Sequence, residues 1–208
     1  MVLLVDSTAD SVPDGVFRSM LAARKRVFID LLRWDLPVLD GCYEVDQFDD
    51  AHARYLIITD TDQAHLASAR LLPTTRPHIL DTLFPRLCRG AIPRGPQVWE
   101  ITRFCLSREL RSAGRRQARN QLVSALAAHA LQTGIKTYTG VAEMAWLQQI
   151  LNFGWQCRAL GEPLPSGAAQ LGALEITITP ETPAALAAGG VWSPIPRHEL
   201  PARRAANG

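Results

Sequence analysis

Apolar residues recur at steps of three and four positions between Pro13 and Trp34, the pattern of an amphipathic helix. They are Phe17, Met20, Leu21, Val27, Phe28, Leu31 and Leu32. Arg24 falls on the same face, where an unpaired buried charge is strongly destabilising. We therefore predict a helix over 13–34 in which Arg24 has a carboxylate partner or borders a polar cleft.

Strand-like and helix-like patterns alternate through the rest of the chain. Strands are predicted over 54–59, 66–72, 98–106, 136–140 and 174–179, and helices over 79–83, 113–132 and 141–151. The polar segment 60–63 suits a hairpin turn between the first two strands. This interleaving predicts an α/β fold with a single mixed central sheet flanked by helices.

The end of the chain differs in composition from the part before it. Residues 181–208 are rich in Pro, Ala, Gly and Arg and finish in PARRAANG, which favours a loosely ordered tail. The whole chain has 208 residues, 47% of them apolar and 20% charged, as expected for an ordinary globular protein. We predict one domain over 1–180, followed by the tail.

Charge and targeting signals narrow the class of protein. A net charge of +2 is too small to indicate general attraction to nucleic acid or a membrane. The start MVLLVDSTAD lacks a signal peptide's basic segment, and no apolar run is long enough to span a membrane. The four cysteines form no C-x-x-C pair. A cytoplasmic protein with reduced cysteines and no zinc site is predicted.

The stretch YEVDQFDD over 43–50 places four carboxylates directly before a predicted strand: Glu44, Asp46, Asp49 and Asp50. Their partner is a metal, an arginine of the chain or a cationic substrate. The histidines show no H-E-x-x-H spacing, and the acids lack the glycine and final glutamate of a calcium loop. No G-x-S-x-G turn indicates a serine hydrolase. A metal site is therefore not predicted.

Charged residues also interrupt two apolar strands. Arg70 lies in ARLL, and Glu100 and Arg103 lie in VWEITRFCL. Each alone is explained by an ion pair or a solvent-facing position, but together with Arg24 they indicate a polar cleft. Strand alternation places Glu100 and Arg103 on opposite faces, so a shared cleft requires a bulge between Trp99 and Cys105.

Four segments in this order resemble the acyl-homoserine-lactone synthase family, the autoinducer synthases of bacterial quorum sensing: RKRVFIDLLRWDLP, EVDQFDDAHARYLI, ARLLPTTRPHIL and VWEITRF. The resemblance covers roughly 21–160 and includes TYTGVAEMAWLQQILNFGW. It implies an N-acetyltransferase-like fold with a V-shaped cleft between two splayed strands, here those carrying Glu100 and Thr139. It also implies S-adenosylmethionine and an acyl thioester, on acyl carrier protein or CoA, as substrates, with no metal or other cofactor. The products would be an acyl-homoserine lactone and methylthioadenosine.

The same resemblance implies roles for individual residues. Glu100 is expected to accept the proton of the substrate amine. The expected S-adenosylmethionine site comprises Arg24, Phe28, Trp34, Asp46, Asp49, Arg70, Arg103 and Phe104. Carboxylates suit the positive groups of this substrate, an arginine suits its carboxylate, and aromatic rings suit its sulfonium. Phe28 could equally be ordinary core, and Glu44 and Asp50 are expected to be solvated.

The acyl donor is expected to meet two further groups of residues. The acyl-chain pocket is assigned to Thr139, Val141, Met144, Trp146 and Leu151, whose spacing also fits plain core. Thr139, or Thr137 in another register, corresponds to a family threonine associated with 3-oxo chains, and no 3-oxo preference is inferred. A basic cluster either docks an acidic carrier protein or is a solvated helix face. It comprises Arg108, Arg111, Arg115, Arg116 and Arg119.

Two rival functions remain open from the sequence. An N-acetyltransferase using acetyl-CoA would carry a Q/R-x-x-G-x-G/A loop, and RSAGRR over 111–116 begins that pattern but ends in arginine. A nucleic-acid-binding regulator could use the arginine cluster and would bind with strong salt dependence. That second function leaves Arg24, Asp46 and Glu100 unexplained.

Overall fold

A computed structural model of the chain describes residues 1–6, 14–167 and 169–194. The strands are β1 (Val2–Asp6), β2 (Val38–Leu39), β3 (Tyr43–Glu44), β4 (Arg54–Thr59), β5 (His65–Pro73), β6 (Val98–Leu106), β7 (Thr137–Glu143), β8 (Gln156–Ala159), β9 (Leu164–Ser166) and β10 (Ala169–Thr177). The helices are α1 (Asp14–Arg24), α2 (Ile79–Thr82), α3 (Ser112–Thr133), α4 (Met144–Leu151) and α5 (Thr182–Ala188), with a π-helix over Lys25–Leu31 and a 3₁₀ turn over Pro85–Leu87.

Eight of these strands form the central sheet, in the order β1-β4-β5-β6-β7-β10-β8, with β9 also paired to β10. Neighbouring strands are antiparallel except β6 and β7, which are parallel and are connected through α3. Strands β2 and β3 form a separate hairpin. This arrangement confirms the predicted mixed sheet flanked by helices.

Strand β4 shows how the two faces of the sheet are covered. Its side chains alternate, so that Tyr55 and Ile57 pack in the core beneath α1, whereas Leu56 and Ile58 pack in the core beneath α3. Both β4 and β6 have the bounds that the sequence predicted. None of the described helices is long and apolar enough to cross a membrane.

The predicted helix over 13–34 is two different helices in the structure. The α-helix ends at Arg24 and continues as a π-helix over Lys25–Leu31. The N–H of Leu32 donates to the carbonyl of Val27 at 3.0 Å, five residues back instead of four. The wider turn changes the face on which the following side chains lie, which a regular 3.6-residue pattern cannot show.

The predicted irregularity in β6 is confirmed. Ser68 of β5 pairs with Cys105, and Arg70 pairs with Thr102, so β6 has one more residue than β5 over this interval. Arg103, inside the bulge, has a left-handed φ of 49°. The bulge therefore changes the direction of the Arg103 side chain relative to a regular strand.

The predicted start of a helix at residue 141 is wrong. Strand β7 continues to Glu143, because Val141 pairs with Ala173 and Glu143 pairs with Leu171 of β10. Helix α4 begins only at Met144. Pairing with a strand about 30 residues later in the chain outweighs the local helical pattern.

The segment predicted to begin a loose tail is partly folded. Helix α5 packs on the core with Leu186 fully buried, and Val191 beyond it is also buried. The adjacent backbone is close, since a Cβ atom on Gly154 would overlap the Ala185 carbonyl oxygen. Residues 182–194 therefore belong to the packed domain, and 195–208 lie outside the described residues.

Replacing Leu186 by alanine is expected to lower the free energy of unfolding by about 2–4 kcal/mol, because the change leaves a cavity in the core. Urea denaturation followed by fluorescence measures this. The control is Leu131→Ala on α3, where the side chain is 40% exposed, with an expected change below about 1 kcal/mol. Equal effects of the two substitutions would show that α5 is not part of the core.

Candidate active site

Six charged side chains meet beside the sheet, and we call them the arginine–carboxylate cluster: Arg24, Glu44, Asp46, Asp49, Arg70 and Arg103. The arginines come from α1, β5 and β6, and the carboxylates come from β3 and the turn that follows it. Three positive and three negative charges balance within the cluster. An arginine can therefore lie on the apolar face of α1, because Arg24 is paired with carboxylates of this cluster.

Arg24 is 1% exposed and bonded on both edges of its guanidinium. Its Nε donates to Glu44 at 2.5 Å, and its two terminal nitrogens donate to Asp49 at 2.8 Å each. Burial opposes the charged form, but the bonds and charges of Asp49 and Glu44 outweigh it and raise the pKa of Arg24. The side chain is thus a permanently charged anchor.

Arg70 contacts Asp46 and also Asp49, the aspartate that accepts from Arg24. Its Nη1 and Nη2 donate to Asp46 at 2.6 and 3.0 Å, and Nη1 lies 2.9 Å from Asp49. Burial alone would raise the pKa of both aspartates, but Arg70 lowers that of Asp46 and Arg24 lowers that of Asp49. Both carboxylates therefore stay ionised at neutral pH.

Arg103 is the least buried side chain of the cluster, at 8% exposed. It donates from Nε and Nη2 to Glu44 at 3.1 and 3.0 Å, and from Nη2 to Asp46 at 2.6 Å. Its guanidinium carbon lies 5.6 Å from the ring centre of Phe28. A left-handed backbone at a non-glycine residue is strained, and here the bulge and these contacts maintain it.

The expectation that Glu44 is solvated is wrong. Glu44 is 0% exposed and accepts hydrogen bonds from both Arg24 and Arg103. The local pattern did not indicate this, because the partner arginines come from α1 and β6, which are distant from Glu44 along the chain. Asp50 is exposed, as expected, and only 4.0 Å from the exposed Arg76.

Carboxylate oxygens of Glu44, Asp46 and Asp49 lie within 4.8 Å of one another, close enough to hold a metal ion. Each of these acids already accepts from a guanidinium. A metal would have to displace those arginines. The geometry fits an internal frame of ion pairs better than a metal centre.

Tyr55 is a member of this site that the sequence did not indicate. Its hydroxyl donates to Asp49 at 2.7 Å from the buried face of β4. Burial, together with the charge of Asp49, raises the pKa of Tyr55, so the hydroxyl keeps its proton. Tyr55 therefore fixes the orientation of Asp49.

Tyr55→Phe is expected to raise KM for a substrate bound beside this cluster by about 3- to 10-fold, the equivalent of one typical net hydrogen bond of about 0.5–1.5 kcal/mol. Steady-state kinetics at varied substrate concentration measure the change. Tyr43→Phe on the neighbouring strand β3 is the control, with KM expected within about 2-fold of wild type. An unchanged KM in Tyr55→Phe would remove the orienting role.

A cavity of about 540 Å³ opens next to the cluster, between β6 and β7. The two strands pair from Val98 to Glu100 with Thr137 to Thr139, and residues 101–104 and 140–143 that follow line the cavity. A Cβ atom on Gly140 would lie 3.0 Å from the carbonyl oxygen of Ile101. Glycine therefore allows the backbones to approach where the cavity begins.

The cavity wall contains many of the predicted site residues but not all of them. Lining it are Phe28, Trp34, Arg103, Phe104, Arg115, Arg116, Arg119, Thr139, Val141 and Trp146. Outside the lining are Arg24, Asp46, Asp49, Arg70, Glu100, Arg108, Arg111, Met144 and Leu151. Arg103 is thus the member of the arginine–carboxylate cluster that reaches the cavity.

Two groups of aromatic rings line the cavity wall. Phe28 and Trp34 stack with ring centres 4.9 Å apart and planes 19° from parallel. In the second group, Trp146 lies 5.1 Å from Phe104 and 5.7 Å from Phe153. Phe153 was missed from the sequence, although NFGW follows the predicted pocket residues. Met144 and Leu151 instead pack against the core beneath α3.

Glu100 is fully buried, and its carboxylate faces α2 instead of the cavity. Its two oxygens accept from the backbone N–H groups of Ile79 at 2.8 Å and Leu80 at 2.9 Å. Burial raises the pKa of Glu100 to about 8, although the two N–H donors oppose the shift. The bulge is present, but among the described residues Glu100 and Arg103 share no hydrogen-bond partner.

Thr139 is also buried, and its hydroxyl donates to the carbonyl oxygen of Leu174 at 2.9 Å. That bond occupies the hydroxyl proton within the protein. Thr137, the other candidate, is at the start of β7, where it pairs with Val98. The geometry supplies no indication of a 3-oxo preference.

Comparisons with known proteins agree on one family. The profile described as autoinducer synthase matches residues 12–186. An acyl-homoserine-lactone synthase of Ralstonia nicotianae is 33% identical over 184 residues, which cover 86% of this chain and 90% of that protein.

Among solved structures, the CoA-dependent acyl-homoserine lactone synthase MesI has a TM-score of 0.82 and 26% identity, with all of both chains covered. TofI, in a ternary complex with an inhibitor and MTA, has a TM-score of 0.76 and 28% identity, with 90% and 96% covered. An acyl-CoA N-acyltransferase from Pseudomonas aeruginosa, at 15% identity and a TM-score of 0.57, covers 84% of this chain and 98% of its own and shares the fold alone.

Proposed function

This chain belongs to the autoinducer synthase family, and from that premise we propose that its cavity is the place where S-adenosylmethionine and an acyl thioester react. The chain is accordingly an acyl-homoserine-lactone synthase, an acyltransferase of quorum-sensing signal synthesis. The observation that carries the proposed site is one continuous cavity, with Arg103 and stacked aromatic rings at one end and apolar residues at the other.

S-adenosylmethionine is proposed to occupy the end of the cavity formed by Phe28, Trp34, Arg103 and Phe104. The Arg103 guanidinium suits the substrate carboxylate, and the stacked rings suit the adenosine and the sulfonium. The other members of the arginine–carboxylate cluster act on the substrate through Arg103. Arg24, Arg70, Asp46 and Asp49 are therefore assigned as positioning residues, and Glu44 is added to them.

The reaction follows from the charges of the two substrates. The amine nitrogen loses a proton and attacks the thioester carbonyl, so that a C–N bond forms, the C–S bond breaks and the thiol leaves with a proton. The carboxylate of S-adenosylmethionine then attacks the γ carbon of the same molecule, which is bonded to the sulfonium sulfur. A C–O bond forms and closes the lactone, and the C–S bond breaks and releases neutral methylthioadenosine. The presence of MTA (methylthioadenosine) in the TofI complex is consistent with this release. A sulfonium is already a good leaving group, so the proposed chemistry requires no cofactor.

Glu100 is proposed as the proton acceptor. Its pKa of about 8 makes the ionised form a stronger base than an exposed carboxylate. Because its oxygens face α2, the proton would have to arrive through a relay or after a local movement of this segment. Glu143, which lies in the cavity wall, is the competing carboxylate.

The acyl chain is proposed to lie between α3, β7 and α4. Thr139, Val141 and Trp146 line this part of the cavity, together with Phe153 and Leu126. The two strands bordering the cavity would then be the splayed pair of a V-shaped cleft. The cavity begins where the pairing of β6 and β7 ends, after Glu100 and Thr139. The carbonyl of a thioester bound in the acyl part of the cavity would therefore reach the amine of S-adenosylmethionine.

The proposed acyl donor is a carrier-protein or CoA thioester. MesI is CoA-dependent, and carrier protein is the alternative that the family implies. The proposed location of the reaction is the cytoplasm, as the sequence predicts.

Expression in a host that makes no lactone signal tests the proposed function. Mass spectrometry of the culture extract should identify an acyl-homoserine lactone absent from cells with an empty vector. A culture without lactone, combined with purified protein that acetylates amines from acetyl-CoA, would favour an ordinary N-acetyltransferase.

A further inference from the structure

Residues 78–81 hold the carboxylate of Glu100, and they include a charged side chain, Asp81, that the proposed site does not contain. Glu100 accepts from the backbone N–H groups of Ile79 at 2.8 Å and Leu80 at 2.9 Å. We propose that Asp81 is a positioning residue for Glu100, because it keeps these two N–H groups in place and so favours the ionised form that accepts a proton. The inference rests on the proposed function, in which Glu100 is the proton acceptor.

Asp81 fixes the backbone at the start of this segment. Its Oδ1 accepts from the backbone N–H of His78 at 2.8 Å and lies 3.3 Å from the ring Nδ1 of the same residue. Its Oδ2 lies 3.1 Å from Nη2 of Arg94. His78 directly precedes Ile79 and Leu80. A carboxylate that holds the His78 N–H therefore also fixes the direction of the next two N–H groups, which are those that Glu100 accepts.

Arg94 connects Asp81 back to β6, the strand that carries Glu100. Its Nε donates to the carbonyl oxygen of Thr74 at 3.2 Å, and the Thr74 hydroxyl donates to the carbonyl oxygen of Val98 at 2.8 Å. Val98 is two residues before Glu100. The Glu100 carboxylate is thus held by its own strand and by a segment that is anchored to the beginning of that strand.

The charges around Glu100 act in opposite directions. Burial disfavours the ionised carboxylate, whereas the two N–H donors and the charge of Arg70 on β5 lower the pKa of Glu100. The charge of Asp81 raises it. His78 is the other titratable side chain of the segment, and Thr139, opposite Glu100 on β7, is uncharged. Asp81 therefore has two separable effects: its oxygen favours ionisation through the N–H donors, and its charge opposes ionisation.

Two substitutions at Asp81 separate these effects in pH profiles of kcat/KM, measured with octanoyl-CoA and S-adenosylmethionine. Ionisation of Glu100 predicts a rise in kcat/KM near pH 8 in wild type, which we call the Glu100 limb. Asp81→Asn keeps an oxygen for the His78 N–H and removes the charge, so the limb should move to lower pH by about 0.5–1 pH unit. Asp81→Ala removes the oxygen as well, so its limb should lie about 1 pH unit above that of Asp81→Asn.

The rate constants provide a second readout. In Asp81→Ala, kcat above the limb should fall by about 10-fold, because the carboxylate is no longer held in one position. KM for S-adenosylmethionine should stay within about 2-fold of wild type in both variants, because Asp81 is outside the cavity lining. A general loss of structure would instead change both constants.

Arg94→Gln tests the same connection at a side chain that is 50% exposed, where substitution is expected to leave folding intact. It removes the cation beside Asp81, so the limb should move to higher pH than in wild type. Asp60→Ala is the matched control. Asp60 also accepts from two backbone N–H groups, those of Asp62 at 2.9 Å and Ala64 at 2.8 Å, in the turn before β5. Its denaturation midpoint should fall while the limb stays at the wild-type pH.

Coincident limbs in Asp81→Asn and Asp81→Ala would leave only an effect of charge and would overturn the positioning role. A wild-type limb in the Asp81 and Arg94 variants, or an equal displacement in Asp60→Ala, would also overturn it. A limb that persists in Glu100→Gln would remove Glu100 as the proton acceptor, and the inference with it, while the proposed function stands. Wild-type protein that makes no lactone would instead contradict the proposed function and the inference that rests on it.

Discussion

Glu44→Gln is expected to lower the free energy of unfolding by about 3–5 kcal/mol, because two buried guanidiniums lose a shared negative partner. Arg103 would lose one of its two carboxylate partners. Its guanidinium would then move at the point where it lines the cavity. KM for S-adenosylmethionine should therefore rise by about 10-fold or more. Urea denaturation and steady-state kinetics measure the two effects separately.

Asp50→Asn is the matched control, six residues along the same acidic stretch. The Asp50 side chain is 45% exposed, and its distance of 4.0 Å from Arg76 makes a weak surface pair. Stability should change by less than about 0.5 kcal/mol, and KM should be unaltered. If Glu44→Gln behaved like Asp50→Asn, the glutamate would be a solvated neighbour of the cluster.

Glu100→Gln is expected to lower kcat by about 100-fold or more while S-adenosylmethionine binds with nearly normal affinity, because an amide cannot accept the amine's proton. Calorimetric titration measures binding, and product formation measures turnover. Glu143→Gln, in the cavity wall, is the control and should retain most of its activity. A large loss in Glu143→Gln with little loss in Glu100→Gln would transfer the proton-acceptor role to Glu143.

The raised pKa of Glu100 also predicts a pH dependence. In wild type, kcat/KM should rise with pH through about 8 as Glu100 ionises, and this limb should be absent in Glu100→Gln. Between about pH 5 and 8 the folded state holds a proton that the unfolded state has lost. Stability should therefore fall with increasing pH, by up to about 1.4 kcal/mol per unit.

The aspartates of the cluster affect stability in a lower pH range than Glu100 does. The lowered pKa values of Asp46 and Asp49 contribute stability above the ordinary aspartate pKa of about 4, and this is lost on further acidification. Denaturation midpoints of wild type and Glu100→Gln from pH 5 to 8 should thus differ in slope. Parallel curves would show that Glu100 is ionised throughout this range.

Local pattern predicted much of the sheet because strands such as β4 and β5 are buried on both faces. The runs at β4 and β6 are apolar enough to fix their bounds, and the charged residues inside VWEITRF predicted the bulge. The ordered motifs identified the family. These features depend on residues that are near one another in the sequence.

Long-range pairing explains what the sequence did not show. Val141 and Glu143 are in β7 because β10 pairs with them, and Leu186 is buried because a core formed by other elements receives it. Glu44 was predicted to be solvated because its partners, arginines of α1 and β6, are distant from it in the sequence. The direction of the Glu100 side chain depends on α2, which the motif around it does not contain.

The central claim is that one cavity joins an acyl thioester to S-adenosylmethionine and closes the lactone. Purified protein incubated with both substrates, and with each alone, tests it by liquid chromatography and mass spectrometry. We predict acyl-homoserine lactone and methylthioadenosine in equal amounts, formed only when both substrates are present. Protein that forms neither product with octanoyl-carrier or octanoyl-CoA, but acetylates other amines from acetyl-CoA, would contradict the claim.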